Sequence, residues 1–321
     1  MEKQDKIKYS IVIPTFNRTG SLKDCLLSIS KQTISKNNFE IIVVDDGSTD
    51  STKKDIEKIK KELLPNIFYI YQENKGCASA RNTGIKAATG SIIFFTDDDC
   101  VVPVYWMEKL LKGFEKYPQT CGVGGWYSAT EEELRTNKFA QIFNARIRQH
   151  SGNYEDYTVL SNSTGVSLCW NTANVAYKKE VFEKVGLFDT YTKKTAMVDY
   201  ELRMRILYSG LYLYYIPLII THNKKINFKE FINTSFRYGM SDYYLSTKFP
   251  EVEKPYEITN FLKYLYDIKN TNRTISSFYY SLYMFIRIFG THYAKFKEVR
   301  SETRFPWKKV HRTRLQEFLK S

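Results

Sequence analysis

Apolar positions change period along the chain, and the changes predict its elements. Residues 9–14 (YSIVIP), 39–45 (FEIIVVD), 67–71 and 91–96 (SIIFFT) are short apolar runs rich in β-branched or aromatic residues. Such runs predict strands buried on both faces of a sheet. Between the first two, Leu22, Cys25, Leu26 and Ile29 recur at helical spacing behind Thr19 or Ser21, either of which fits a cap. Residues 81–88 and 105–116 predict helices flanking the fourth strand. Strands alternating with helices predict an α/β fold with a Rossmann-like, mostly parallel central sheet covered by helices. In such sheets ligands bind outside the carboxyl ends of the strands.

Farther along, residues 120–127 predict a strand and residues 130–149 a polar helix. Residues 151–167 are rich in Ser, Asn, Gly and Thr and predict a loop. A strand is expected over 169–178, a short helix over 179–185 closed by Gly186, and a helix over 198–209 closed by Gly210. Residues 211–221 (LYLYYIPLIIT) predict two strand pieces around Pro217. Beyond His222 the pattern turns helical: Phe228, Phe231, Ile232, Phe236, Met240 and Tyr243 share one face, and Ile258, Phe261, Leu262 and Leu265 another.

Charge divides the chain. Its net charge is +13, but residues 1–221 hold 29 Lys and Arg against 26 Asp and Glu, whereas residues 222–321 hold 19 against 9. The expected organisation is a nearly neutral body, 1–222, followed by a basic, aromatic helical region, 223–321. The five cysteines are scattered, with no CxxC pair, which argues against a disulfide framework or structural zinc and fits a reducing compartment. The start MEKQDKIKYS lacks the apolar core of a signal peptide. The longest apolar stretches, 206–220 and 278–289, fall short of the ~20 residues that a spanning helix needs. A cytoplasmic chain is expected.

Candidate chemistry sits at the predicted strand ends. Asp45-Asp46-Gly47-Ser48 follows the second strand. It reads either as ordinary turn chemistry or as a carboxylate that accepts the imide N–H of a pyrimidine base. Asp97-Asp98-Asp99 follows the fourth strand directly. Consecutive acids abutting an apolar strand need a counter-charge, and hard oxygen donors suit Mg²⁺ or Mn²⁺ with a diphosphate. Asp199, with Glu201 nearby, stands at a helix start, where it either complements the dipole or serves as a general base. Arg81 suits a phosphate or an acid partner, and His222 a structural place or a metal shell. Gly122–Gly125 is not a dinucleotide loop, because Tyr127 stands where the third glycine would be. No GxxxxGK[ST], HExxH or GxSxG occurs.

In their order, SIVIPTFNR (10–18), VVDDGSTD (43–50), ENKGCASARNTGIKAATG (73–90), IIFFTDDDC (92–100), CWNTANVAYKKEVFEKVGLFD (169–189), VDYELRMRI (198–206) and His222 resemble the family 2 glycosyltransferases of the GT-A fold. The resemblance implies an inverting transfer of a sugar from a nucleotide-sugar donor, UDP by analogy, to a hydroxyl acceptor, in surface polysaccharide or lipid-linked glycan synthesis. It implies a nucleotide-binding part over 1–100 and an acceptor-binding part over 101–222. Pro14, Phe16 and Asp46 would hold the base, with Asp45 close by, and Arg81 would lie near the phosphates. Asp97 and Asp99 frame a DxD signature, within which Asp98 faces the ribose. Asp97, Asp99 and His222 are the implied Mn²⁺ or Mg²⁺ ligands. Asp199 matches the catalytic base, and Trp170 and Asn174 the sugar and acceptor region.

The chain departs from the family pattern at two places. Val198 stands where an acidic residue often precedes the base, and TYTKKTAM, with Lys193 and Lys194, replaces a glycine-rich loop. Two lysines beside an acceptor point to an anionic one, such as a diphosphate-linked lipid. The aromatic run 278–289 and the basic stretch after it fit either a hairpin packed on its neighbours or attachment to an anionic membrane surface, on its inner face. Two rival readings fit less well. Nucleic acid is not the expected partner, since acids at the strand ends would repel its phosphates. A sugar nucleotidyltransferase would want a glycine-rich basic loop after the first strand, which TFNRTGSL does not supply. The oligomeric state has no signal in the sequence.

Overall fold

The computed structural model describes residues 7–151, 159–161, 171–190, 197–250 and 275–300. The chain divides into two compact units, Met1–Lys193 with Val198–Lys225, and Lys194–Met197 with Ile226–Ser321.

In the first unit β1 (Tyr9–Thr15), α1 (Thr19–Ile29), β2 (Phe39–Asp45), α2 (Thr52–Glu62), β3 (Ile67–Tyr71), α3 (Cys77–Ala87) and β4 (Ile92–Phe95) alternate as expected. There follow β5 (Cys100–Val101), α4 (Trp106–Lys116), β6 (Thr120–Ala129), α5 (Glu131–Thr136), α6 (Lys138–Ser151) and β7 (Val159–Ser161). The unit closes with β8 (Val175–Lys178), α7 (Glu180–Val185), α8 (Val198–Tyr208) and β9 (Tyr212–His222). The strands form one sheet in the order β3-β2-β1-β4-β8-β6-β9-β5, with β7 also on β9.

The sheet is half parallel. β3, β2, β1 and β4 run parallel, and so do β6 and β9. β8 is antiparallel to both β4 and β6, and β5 and β7 are antiparallel to β9. Strand direction depends on where each connection returns, which apolar runs do not encode.

Alternate residues of the central strands feed two cores. Ile11, Ile13, Ile41 and Val43 pack with Leu22, Leu26, Trp106 and Leu110 on one face. Val12, Ile42, Val44 and Phe95 pack with Ile85, Phe182, Leu202 and Ile206 on the other. Gly84 fixes the approach of α3: a Cβ there would lie 2.3 Å from Val12 Cγ1, so the helix sits against β1 with only hydrogen at the contact. That contact carries Arg81, one turn earlier, to the carboxyl ends of the strands.

Several local expectations change. Helix α2 was absent from the pattern, because Ile56 and Ile59 are its only buried apolar residues in a strongly charged segment. Neither Thr19 nor Ser21 caps α1. Arg18 holds the cap position without a capping side-chain bond, and Thr19 Oγ1 donates to Asp55 instead. The expected helix over 130–149 is two helices, divided at Asn137, whose Oδ1 accepts the N–H of Phe139. β9 runs unbroken through Pro217, which lies exposed at a register irregularity against β6, where its missing N–H costs no ladder bond. β8 is shorter than expected, and β7 falls within the expected loop.

The second unit contains α9 (Phe228–Lys248) and α10 (Ile275–Arg300). The predicted aromatic face is only partly the packing face: Phe231 is buried, but Phe228 is exposed. The buried positions of α9 also include Ser235, Gly239 and Asp242. Small residues let the backbones touch: a Cβ on Gly239 would lie 1.8 Å from Arg287 O, and one on Gly290 2.3 Å from Phe236 O. Arg287 forms a buried ion pair with Asp242, Nη2 to Oδ1 at 2.6 Å, and its Nη1 donates to Tyr283 Oη at 3.0 Å. Ile258, Phe261, Leu262 and Leu265 lie outside the described residues. Among the described residues no helix is long and apolar enough to cross a membrane.

Candidate active site

Register brings the acids together. Thr15 ends β1 opposite Asp45 at the end of β2, and Val12 pairs with Phe95, so the triple aspartate after β4 emerges beside Thr15. The three carboxylates then diverge. Asp97 Oδ1 accepts from Arg81 Nη2 at 2.7 Å. Asp98 Oδ2 accepts from Thr15 Oγ1 at 2.8 Å. Arg18 Nη1 donates to both Asp98 Oδ1, at 3.0 Å, and Asp99 Oδ2, at 2.8 Å. Burial raises the Asp98 carboxyl to about 6 against the pull of Arg18, and the charge of Asp99 adds to the rise. Burial would raise Asp99 too, but contact with His222 and the charge of Arg18 outweigh it and hold that carboxyl at about 2.

Asp99 and His222 form the best candidate cation site. Pairing of β5 with β9 sets Cys100 opposite His222, and Asn223 N donates to Asp99 O at 2.7 Å. His222 Nε2 then lies 3.0 Å from Asp99 Oδ1, a buried oxygen with no other hydrogen-bond partner among the described residues. Ligands at about 2.1 Å in adjacent octahedral positions are about 3.0 Å apart, so this pair fits one divalent cation. Cys100 brings its sulfur within 4.8 Å of both. Burial pushes that thiol well up, and Mg²⁺ or Mn²⁺ favours the oxygen and nitrogen donors over sulfur. Asp97 does not join the group; its carboxylate is held by Arg81.

Asp45 and Asp46 organise the loops beside β1. Asp45 accepts from Ser48 N at 2.7 Å and from Tyr69 Oη at 2.8 Å. Asp46 accepts from Lys75 N at 2.9 Å, Gly76 N at 2.8 Å and Gln72 Nε2 at 2.6 Å. Gly47 and Gly76 have φ of +93° and +91°, a backbone that glycine adopts without strain. Both acids therefore do turn work, and with the buried Pro14 and the exposed Phe16 they line the same strand ends.

Asp199 lies in the first turn of α8, half-buried, where its Oδ1 accepts from Tyr200 N at 2.9 Å and its Oδ2 from Thr172 N at 3.4 Å. Burial raises its carboxyl above the ordinary range; Arg81 opposes the rise and Asp97 adds to it. Arg81 is buried, its Nε lacks a hydrogen bond among the described residues, and its guanidinium lies 5.8 Å from the ring of Phe188. Asn82 fixes Phe188 by bonds to both its N and O, at 2.9 and 2.8 Å.

Other candidates go elsewhere. Glu201 is fully buried and receives two bonds from Arg205, each 2.8 Å, while Arg205 also holds Leu187 O at 2.7 Å. That cluster braces the end of α7. Asn174 is fully buried in the sheet: its Nδ2 donates to Trp126 O at 2.7 Å and Leu218 O at 2.8 Å, and its Oδ1 accepts from Trp106 Nε1 at 2.8 Å. It does not line the site. Trp170, Lys193 and Lys194 lie outside the described residues. Arg18 and Thr15, which carry the contacts of Asp98 and Asp99, went unassigned in the sequence, although their place at the end of β1 marks them by the strand-end rule.

A family model described as glycosyl transferase family 2 matches residues 10–186. The chain is 39% identical over 126 residues to the glycosyltransferase GlyA of Streptococcus pneumoniae, covering 39% of this chain and 18% of GlyA. It spans less than two-thirds of the first curated relatives it matches. Staphylococcus aureus TarS 1–349 in complex with UDP-GlcNAc superposes with a TM-score of 0.56 at 16% identity, over 75% of this chain and 67% of TarS 1–349. The mannosyltransferase PcManGT of Pyrobaculum calidifontis, in complex with GDP-Man and Mn²⁺, superposes with a TM-score of 0.53 at 16% identity, over 98% of this chain and 81% of PcManGT.

Proposed function

The chain belongs to glycosyl transferase family 2 and has the GT-A fold, and from that premise we propose that it moves a sugar from a UDP-linked donor to a hydroxyl acceptor with inversion. The carrying observation is the link through Arg81, which donates to Asp97 and whose charge opposes the rise of the Asp199 carboxyl. Two acids from distant parts of the chain thereby share one rim with Asp99 and His222.

Asp199 takes the proton of the acceptor hydroxyl as that oxygen attacks the anomeric carbon. The bond to the diphosphate breaks on the opposite face, so the anomeric configuration inverts. A raised carboxyl suits this task, because a stronger base accepts the proton more readily. Arg81 offsets negative charge as the diphosphate leaves and is already held in place by Asp97. A divalent cation, Mn²⁺ or Mg²⁺, held by Asp99 and His222 would supply Lewis-acid stabilisation of that same charge. Pro14, Phe16, Asp45 and Asp46 line the base and Asp98 the ribose, within a nucleotide-binding part over 1–100. Residues 101–222 receive the acceptor, a glycan or lipid-linked glycan of the cell surface.

Attachment to an anionic membrane belongs to the same proposal. Phe285, Phe289, Tyr293 and Phe296 are exposed and recur along one side of α10, with Lys295 between them. Together with the excess of 19 Lys and Arg over 9 Asp and Glu beyond residue 221, that stripe suits the headgroup layer of anionic lipid. Co-sedimentation with phosphatidylglycerol vesicles, lost at high salt and in a Phe289→Ser variant, is the expected result. No pelleting above that with phosphatidylcholine contradicts the attachment.

The donor reading is tested by thermal unfolding with UDP, GDP, dTDP or CMP, each with and without Mn²⁺. A ligand that binds only the native state raises stability by RT ln(1 + [L]/Kd). UDP is expected to raise Tm, and to do so more strongly with Mn²⁺. A shift confined to GDP would overturn the choice of nucleotide, and no shift with any of them would overturn the donor site.

A further inference from the structure

We propose that Arg18 is the internal counter-ion of the cation site and makes uptake of a divalent cation conditional on the donor diphosphate. The inference rests on the reading of Asp99 and His222 as cation ligands.

Asp98 and Asp99 are consecutive and buried, with side chains only 5% and 6% exposed. Two such carboxylates are costly to hold together without a nearby cation. Arg18 supplies it: one nitrogen, Nη1, serves both residues, while Thr15 fixes the remaining oxygen of Asp98. The other arginine of the rim, Arg81, is committed to Asp97. The bridge also leaves Asp99 Oδ1 turned to His222 rather than to Arg18.

The two arginines differ in how freely they can move. The side chain of Arg81 is 7% exposed and locked against the sheet, whereas that of Arg18 is 44% exposed. Arg18 can therefore shift toward solvent with less repacking than Arg81, once another cation offsets the two carboxylates. With Arg18 in place, a divalent cation meets carboxylates whose charge is already partly offset, and its own charge is repelled by the guanidinium. A diphosphate arriving with the cation restores the balance, because its oxygens accept from the remaining guanidinium N–H groups and also ligate the cation. Cation and diphosphate then bind as a coupled pair, each raising the affinity of the other by the same factor.

Direct measurement of Mn²⁺ binding by the free-ion EPR signal, with and without UDP, tests this in the intact chain. In Arg18→Gln, Mn²⁺ alone is expected to bind about tenfold tighter, since a unit charge within a few ångströms has been removed. The factor by which UDP tightens Mn²⁺ is expected to shrink to a similar degree, and Arg18→Lys to restore the wild-type coupling. A merely structural Arg18 would not tighten Mn²⁺ binding. Unchanged or weaker Mn²⁺ affinity in a folded Arg18→Gln overturns the proposal. Asp98→Asn tests it independently: it leaves Arg18 matched to Asp99 alone, so Mn²⁺ without UDP should bind severalfold more weakly, and unchanged affinity there also overturns the proposal. If the wild-type chain bound no Mn²⁺ even with UDP, the donor reading itself would fall. If it bound both and the coupling survived in Arg18→Gln, only the role of Arg18 would fall.

Discussion

Nη2 of Arg81 donates to Oδ1 of Asp97 across 2.7 Å, and the same guanidinium is the charge that restrains the rise of Asp199. Loss of that charge acts on the proposed base. Arg81→Gln should move the acid limb of the pH–rate profile to higher pH, because the carboxyl of Asp199 then rises further. An acid limb that stays in place would show that Arg81 and Asp199 are not coupled.

Asp199→Asn separates chemistry from binding. Removal of a general base typically costs ~10²–10⁴-fold in rate, so turnover should fall by that order while UDP binding persists. Turnover within about tenfold of wild type would contradict the assignment.

The same variant carries a stability prediction. The folded carboxyl is raised above its ordinary value of 3.8. The native state therefore holds the proton more tightly than the unfolded one, and stability falls as pH rises through the interval just above that value. Asn removes the cost of ionising a buried group, so Tm of Asp199→Asn should match or exceed wild type at pH 7. The advantage should narrow as the pH is lowered toward 4. A variant that melts well below wild type at pH 7 would mean that the carboxylate is a net stabilising group.

How much of this was legible depended on range. β1, β2 and β4 were readable because Ile11–Ile13, Ile41–Val44 and Phe94–Phe95 are apolar on both faces, and the acids after β2 and β4 stood out against them. The sequence motifs pointed to Asp199 and His222 as well. Partners were not readable, because register and helix packing choose them: Arg18 with Asp98 and Asp99, Arg81 with Asp97, and Glu201 with Arg205. Asn174 misled for the same reason. A polar residue inside a motif looks like a ligand contact until its three bonds across the sheet are seen.

Asn174→Ala should accordingly behave as a core lesion. Three buried hydrogen bonds are lost and their partners left unsatisfied, a cost of roughly 3 kcal/mol at about 1 kcal/mol for each. Denaturant unfolding should show that loss, while KM for the donor in the folded fraction stays near wild type. A raised KM with unchanged stability would return Asn174 to the site.

In the second unit, Asp242→Ala should be severe. It leaves the Arg287 guanidinium buried without its carboxylate, a change that typically costs about 3–5 kcal/mol. Faster amide exchange throughout α9 and α10 is expected, and wild-type protection there would show that the ion pair does not hold the helices.

The proposed cation site between Asp99 and His222 is tested most directly by anomalous scattering from crystals grown with UDP and Mn²⁺. One manganese peak is predicted, at about 2.1–2.3 Å from both Asp99 Oδ1 and His222 Nε2 and in contact with the diphosphate. UDP bound with manganese elsewhere, or with none, would contradict it.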